Sequence, residues 1–275
     1  MEREINTPFH LLRITDNDGV RLLRFERNRQ SSMYIDDPFE TDFEYPGYLH
    51  LPLAIRPDAV RTLILGLGGG SVVKRMWRDY PEMRIDTVEI DKGVVDVARE
   101  YFALPDDERL EVYVDDGRNF LATSNEIYDV VIVDAFDDDR MPRDLTTEEF
   151  LRSVRDHLED DGVIAYNCIG AVYGPRSKPF RSLYRTAANI WRRLWVFPIG
   201  ISDDATDKTR NIILLATDAN LSTDELLERI GSRVDGLVTV PKFERFGEDL
   251  YRQRIRAGDV PLLVDERRSR KGRRH

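Results

Sequence analysis

Residues 63–80 read LILGLGGGSVVKRMWRDY, an apolar run followed by clustered glycines and then an amphipathic stretch. The apolar run predicts a buried strand, and SVVKRMWRDY predicts a helix. Glycines at such a turn let backbone amides approach a ligand, while the helix dipole favours anionic groups nearby. The segment therefore predicts a strand, turn and helix unit in which Gly66, Gly68 and Gly69 are candidate ligand contacts.

The same alternation continues along the chain. Strand patterns recur in RIDTVEI, RLEVYVDDG, YDVVIVDAF and GVIAYNCI, with helical patterns such as GVVDVAREYF and TTEEFLRSVRDHL between them, and LWVFPIG and RNIILLAT suit two closing strands. Strands separated by helices indicate a parallel sheet, here with one closing strand antiparallel. We predict the α/β class, with a Rossmann-like, doubly wound, seven-stranded sheet.

The chain ends frame this sheet with smaller regions. Residues 10–26, HLLRITDNDGVRLLRFE, predict a β-hairpin turning at Asp18-Gly19, and the polar, proline-containing residues 30–48 predict a loop. We therefore expect a small N-terminal β region and connector over 1–55, a nucleotide-binding α/β domain over 56–220, and a C-terminal helical extension over 221–275 that ends in the basic tail RRSRKGRRH.

Composition narrows the classes of function. The net charge of −10 argues against nucleic-acid binding and suits a cationic substrate, although it also serves solubility. No apolar run approaches the roughly 20 residues of a membrane span, and the N-terminus lacks the apolar core of a secretory signal. With Cys168 as the single cysteine, these features predict a cytoplasmic protein without membrane contact.

Carboxylates follow two strands at the sheet edge where the glycine turn lies. Glu89 ends the second strand 23 residues after Gly66, a spacing at which an acidic side chain accepts hydrogen bonds from ribose hydroxyls, with Asp91 as the competing carboxylate. Asp116 and Gly117 follow the third strand, where an aspartate can accept the exocyclic amine of adenine, or cap the next helix, or both. These residues predict a nucleoside site.

The fourth strand runs into an acidic cluster, DAFDDD, at residues 134–139. Closely spaced carboxylates can bind a protonated amine and remove its proton, because their mutual repulsion keeps one of them basic. A solvated acidic loop is the alternative. The cluster lacks nearby histidines and EF-hand spacing, so we expect no metal.

Taken in order, LILGLGGGS, VEIDKGVVDVAREYF, VYVDDGRNF and YDVVIVDAFDDD resemble the polyamine aminopropyltransferases, the spermidine synthase family, over roughly residues 42–217. The resemblance implies a sheet of the S-adenosylmethionine-dependent methyltransferase type with a small N-terminal β-domain. It also implies transfer of an aminopropyl group from decarboxylated S-adenosylmethionine, a co-substrate and not a tightly bound cofactor, to a polyamine. Members of the family form dimers, which leaves a homodimer open here.

By motif, the resemblance implies that Glu89 holds the ribose, Asp116 and Gly117 hold the adenine, Asp134 accepts the proton and Asp137 helps to bind the amine. Gln30 is matched to a glutamine that touches the nucleoside.

Two departures from the family pattern keep alternatives open. Gly69 stands where the family has an aspartate, and residues 45–47, Tyr-Pro-Gly, replace a Tyr-His-Glu or Tyr-Gln-Glu motif. Loss of a carboxylate at position 69 would suit the methionine carboxylate of an S-adenosylmethionine-dependent methyltransferase. A non-catalytic protein that binds nucleosides or polyamines on the same fold is the third hypothesis.

Overall fold

The structure is a computed structural model that describes residues 1–136, 140–201 and 206–266. Its N-terminal part is an antiparallel sheet of four strands in sequential order. These strands are β1 (Glu2–Asn6), β2 (Leu11–Asn17), β3 (Val20–Phe25) and β4 (Asn28–Tyr34). The predicted hairpin corresponds to β2 and β3, whose turn contains Asp18 and Gly19, both at positive φ.

The N-terminal sheet is larger than predicted, because β1 and β4 extend the hairpin on its two sides. Residues 30–34 were predicted to be loop, yet they belong to β4. The polar residues Ser31 and Ser32 that suggested a loop are both buried. Ser31 Oγ accepts the Gly69 amide at 2.8 Å, so the polar composition of β4 reflects contact with the glycine turn.

The second sheet has seven strands in the order β10-β11-β9-β8-β5-β6-β7. All neighbours are parallel except β11, which runs antiparallel to both β9 and β10. This order confirms the predicted doubly wound sheet of the methyltransferase type. The strands are β5 (Arg61–Leu65), β6 (Arg84–Glu89), β7 (Leu110–Val114), β8 (Tyr128–Val133), β9 (Leu158–Gly170), β10 (Arg193–Pro198) and β11 (Arg210–Thr217).

Helices cover both faces of this sheet, and several begin at a side-chain cap. Asp91, Asp116 and Thr147 each accept backbone amides at the start of the helix that follows. The helices are α1 (Tyr45–Tyr48), α2 (Ser71–Asp79), α3 (Lys92–Tyr101), α4 (Gly117–Thr123), α5 (Glu148–Asp156), α6 (Lys178–Ala188) and α7 (Thr223–Gly231). Two apolar cores result, one on each face.

The predicted C-terminal helix is α7, which starts with a capping box formed by Ser222 and Glu225. A 3₁₀ helix, Phe243–Asp249, packs beside it, and residues 250–266 then follow without a regular helix or strand. Leu226 of α7 and Phe243 belong to the same core as the strands of the larger sheet. The boundaries at residues 55 and 220 therefore stay predictions. In the described ranges, no helix is long and apolar enough to cross a membrane.

Candidate functional site

The glycine turn joins β5 to α2 at the carboxyl edge of the larger sheet. Gly66 adopts a φ of 102°, and a Cβ there would collide with the carbonyl oxygen of Asp134. Gly68 also has a positive φ, of 52°, and a Cβ there would lie 2.7 Å from Ser31 Oγ. Backbone conformation and the closeness of the neighbouring segments thus both require glycine at these positions.

Glu89 ends β6 beside this turn. One of its carboxylate oxygens accepts the Leu67 amide at 3.0 Å, and the other accepts the Asp91 amide at 3.0 Å. Burial raises the pKa of Glu89, whereas these backbone hydrogen bonds favour its charged form. Since a carboxylate has about four lone-pair positions, Glu89 keeps acceptor capacity for a ligand's hydroxyls.

The competing carboxylate, Asp91, has a structural role. It is buried, caps α3 through the Gly93 amide at 2.8 Å, and accepts the Thr7 hydroxyl at 2.5 Å. The last contact ties the N-terminal sheet to α3. Of the two carboxylates considered for the ribose, Glu89 faces the cavity described below.

Asp116 caps α4 and also faces the cavity. Its Oδ1 accepts the amides of Arg118 and Asn119 at 2.9 and 3.1 Å. Both bonds use one oxygen and neither uses the Gly117 amide, so a second oxygen and the first amide of α4 remain outside the cap. Capping and ligand contact are therefore compatible at this position.

Asp134 follows β8, and its carboxyl group, like that of Glu89, is removed from solvent. Its Oδ1 accepts the Asn167 amide at 2.8 Å, and the Tyr45 hydroxyl also donates to its carboxylate. Burial raises the pKa of Asp134 to about 6, while the two hydrogen bonds act in the opposite direction. A carboxylate with this pKa is mostly ionised at neutral pH and is more basic than an exposed one.

These residues enclose a single cavity of about 440 Å³. Its volume suits a nucleoside with a short side chain. Its walls are acidic at the sheet edge, and the side of the N-terminal sheet combines aromatic residues with the polar Gln30 and Ser31. Of the predicted site residues, those brought together on its lining are Gly66, Gly68, Glu89, Asp116, Gly117, Asp134 and Gln30.

Gly69 and Asp137 are the two predicted site residues that are not among these. Gly69 is buried behind the turn, where a Cβ would lie 2.9 Å from both Phe102 and Ser31. The N-terminal sheet packs on this glycine, which leaves no space there for a ligand. Asp137 lies outside the described residues, so its role as an amine contact stays a prediction.

A second cavity, of about 350 Å³, adjoins the first. Gln30, Tyr45 and Phe136 line both cavities. The second cavity is also lined by one acidic, two basic and one amide side chain, namely Glu44, Arg29, Arg210 and Asn211. Tyr45 therefore connects Asp134 to this second space. Within the described ranges, no three histidine, cysteine or acidic side chains are grouped so that they could hold a metal ion.

Several residues of the site are not predicted by the sequence motifs. His10 reaches the cavity from the N-terminal sheet, stacked on Phe25 at 4.3 Å between ring centroids, although its position in the sequence gave no sign of a role. Tyr45 was noted only as part of a changed motif. Asn167 could have been found, because it is a lone amide in the otherwise apolar strand pattern GVIAYNCI, and such a residue needs a polar partner.

Comparisons with known proteins agree with this arrangement. The family model for the spermine/spermidine synthase domain matches residues 47–168, which confirms the resemblance found in the sequence. A probable polyamine aminopropyl transferase from Bifidobacterium longum is 39% identical over 136 residues, which make up 50% of this chain and 30% of that protein. A polyamine aminopropyltransferase from Vibrio vulnificus is 33% identical over 182 residues, 62% of this chain and 60% of that protein. The chain thus matches less than two thirds of the length of these relatives.

A solved structure shares the whole fold. A probable spermidine synthase from Corynebacterium glutamicum superimposes with a TM-score of 0.77 over 98% of each chain, at 18% sequence identity. The N-terminal sheet and the C-terminal extension lie outside the region that the family model matches, and this superposition includes them in the shared fold.

Proposed function

We propose that the protein is a spermidine synthase-like aminopropyltransferase, which moves an aminopropyl group from decarboxylated S-adenosylmethionine to an amine acceptor of the polyamine class. The observation that carries the proposal is the position of Asp134. This buried carboxylate lines a nucleoside-sized cavity, and its partner Tyr45 also lines the adjoining space. The family match over residues 47–168 supports the same reaction class.

The nucleoside would lie in the larger cavity. Glu89 would accept hydrogen bonds from the ribose hydroxyls, and the outer oxygen of Asp116 would accept the exocyclic amine of adenine. The Gly117 amide, at the start of α4, would donate to a ring nitrogen. Gln30 reaches the same cavity from β4 and also lines the adjoining space.

Asp134 would act as the general base. The acceptor amine is protonated at neutral pH, so its ammonium must lose a proton before the nitrogen can attack. Asp134 takes that proton. The nitrogen lone pair then forms a bond to the carbon next to the sulfonium, the carbon–sulfur bond breaks, and its electron pair stays on sulfur, releasing neutral methylthioadenosine. Asp134 ends the step as a carboxylic acid and returns its proton to solvent.

The methyltransferase alternative loses its main support. It rested on Gly69 making room for the methionine carboxylate, but Gly69 is packed against Ser31 and Phe102 and does not line the cavity. A non-catalytic binding protein would not need the buried and hydrogen-bonded carboxylate found at Asp134. The aminopropyltransferase proposal accounts for both features.

Asp134→Asn tests the proposal. The amide has nearly the shape of the carboxylate but cannot accept the proton, so we expect turnover to fall about 10² to 10⁴-fold. Methylthioadenosine affinity, measured by calorimetry, should change little. Asp160→Asn is the matched control, since Asp160 is exposed on β9 at the end of the sheet away from the cavity. Full turnover in Asp134→Asn would remove Asp134 from the mechanism.

A further inference from the structure

Asp134 is the first member of a line of polar side chains that continues into the larger sheet. Asn167, on β9, donates its Nδ2 to Asp134 Oδ1 at 2.8 Å. Asn211, on β11, donates its own Nδ2 to Asn167 Oδ1 at 3.0 Å. Asn167 is fully buried and stands among apolar neighbours on its strand. Burial of an amide there is costly unless both of its ends are bonded.

The strand register explains how these side chains meet. Asn211 lies opposite Ile169, so Asn167 is its diagonal neighbour, two residues along β9 on the same face of the sheet. β8 and β9 run parallel, which places Asp134 and Asn167 at the same edge. β11 is antiparallel and begins at this edge. Its first residues therefore reach the site, whereas a parallel strand would reach it with its last residues.

The two asparagines give the line a direction. An amide has an accepting end and a donating end, and Asn211 occupies the accepting end of Asn167. The donating end of Asn167 faces Asp134. A donor in this position stabilises the carboxylate and not the carboxylic acid.

We propose that Asn167 is a positioning residue that holds Asp134 as an oriented carboxylate for proton abstraction, and that Asn211 acts by fixing the amide of Asn167. The inference rests on the proposed role of Asp134 as general base. It gives Asn167 and Asn211, which lie on strands of the larger sheet, a role in proton abstraction at the edge of that sheet.

The titratable groups around Asp134 must be known before a change in the pH dependence of the rate can be assigned to Asp134. Tyr45, from α1, is the titratable group that bonds to Asp134 among the described residues. Other titratable or charged groups face the same two cavities from the N-terminal sheet, from the ends of β6 and β7, from the loop after β8 and from β11, namely His10, Arg29, Glu44, Glu89, Asp115, Asp116, Arg143, Asp144 and Arg210. Substituting Asn167 leaves all of these groups in place.

The experiment is a titration of the Asp134 carboxyl by ¹³C NMR in the full-length protein, assigned by the signal lost in Asp134→Asn. In Asn167→Leu, burial persists while one donor is lost, so we expect the pKa of Asp134 to rise from about 6 by about one unit or more. The rate at pH 7 should fall about twofold for a one-unit rise and about tenfold for a two-unit rise, and it should recover at higher pH, where Asp134 is again ionised. A merely structural role would lower the rate equally at every pH.

A second variant guards against loss of the fold. Asn211→Asp exchanges the donor that faces Asn167 for an acceptor, so the Asn167 amide should reverse and present its oxygen to Asp134. The reversed amide and the added negative charge should both raise the pKa of Asp134, although no side chain next to it has been replaced. Asn189→Leu, which removes an exposed asparagine at the end of α6, is the control and should leave the titration unchanged.

The outcomes separate the inference from the proposed function. A pKa of Asp134 unchanged in both Asn167→Leu and Asn211→Asp, with methylthioadenosine still bound, overturns the inference. If the natural protein transfers no aminopropyl group, the proposed function fails, whereas the titration still measures whether the asparagine line holds Asp134 as a carboxylate.

Discussion

At the scale of single residues, Gly69 shows that packing can require a glycine for a reason that the sequence motif does not reveal. The sequence places it inside a ligand-binding turn, and the resemblance marks it as a lost carboxylate. The structure places its amide against Ser31 Oγ at 2.8 Å and its Cα beneath Phe102. The glycine allows the N-terminal sheet to pack closely on the turn.

Gly69→Asp is therefore expected to affect stability and not donor preference. A Cβ would stand 2.9 Å from Phe102 and Ser31, both of which are buried, so these neighbours must move. Overpacking of this kind typically costs about 1–3 kcal/mol, and burial of the carboxylate adds to it. Thermal unfolding should show a Tm several degrees lower, with a smaller decrease in Gly69→Ala. An unchanged Tm, together with a new preference for the decarboxylated donor, would show that position 69 faces the ligand.

Glu89 offers a second test at this scale. Its two oxygens accept the amides of Leu67 and Asp91, so an amide side chain would set an NH₂ group against one of these N–H donors. We expect Glu89→Gln to weaken methylthioadenosine binding at least tenfold, through the lost ribose contact and the disturbed turn. Lys92→Gln is the control, since Lys92 is exposed and its partner is Asp96 on the same helix. Equal affinity in Glu89→Gln and the natural protein would exclude Glu89 from the ribose site.

At the scale of elements, residues 259–266 form a C-terminal strap that braces one wall of the cavity. Asp265 binds the Arg118 guanidinium through both carboxylate oxygens, at 2.8 and 2.5 Å, and Arg118 in turn donates to the Asp144 carbonyl oxygen at 2.8 Å. The Glu148 amide donates to the Leu263 carbonyl oxygen at 2.7 Å. Asp144 lines the cavity and Asp265 does not, so the strap would act indirectly on the side where adenine is proposed to bind.

Asp265→Asn should therefore raise the KM for the nucleotide donor while leaving kcat nearly unchanged. The ion pair is partly exposed, so we expect only about a threefold to fivefold effect. Asp259→Asn provides the comparison, because it removes an aspartate of the same strap whose partner, Arg181, lies on α6 away from the cavity. Equal effects of the two substitutions would indicate a general loss of stability.

The elements also show what the sequence could predict. Apolar runs separated by helical patterns were sufficient for the large sheet, because each strand carries its own pattern. The sequence does not predict β4, because its buried serines contact the glycine turn, and the Ser31–Gly69 contact joins residues 38 positions apart. The lone amide of Asn167 is visible in the sequence, but its pairing with Asn211 is not, because that pairing depends on strand register. Glu89 and Asp134 could be found because a position at a strand end is a local property.

At the scale of the whole molecule, the cavity lies between the two sheets. The larger sheet supplies the carboxylates, and the N-terminal sheet supplies Phe9, His10 and Phe25 as its aromatic side. Because a bound nucleoside would contact both sheets, methylthioadenosine should slow amide hydrogen exchange in residues 9–10 and 30–31 as well as at the glycine turn. Protection limited to the larger sheet would contradict this arrangement.

Transfer of an aminopropyl group by this molecule is tested most directly by mass spectrometry of the products. The purified protein would receive S-adenosylmethionine, its decarboxylated form and a pool of polyamines together. We predict methylthioadenosine and an amine extended by one aminopropyl unit, in amounts that fall sharply in Asp134→Asn. Adenosylhomocysteine with a methylated product would contradict the account, and so would the absence of any released nucleoside.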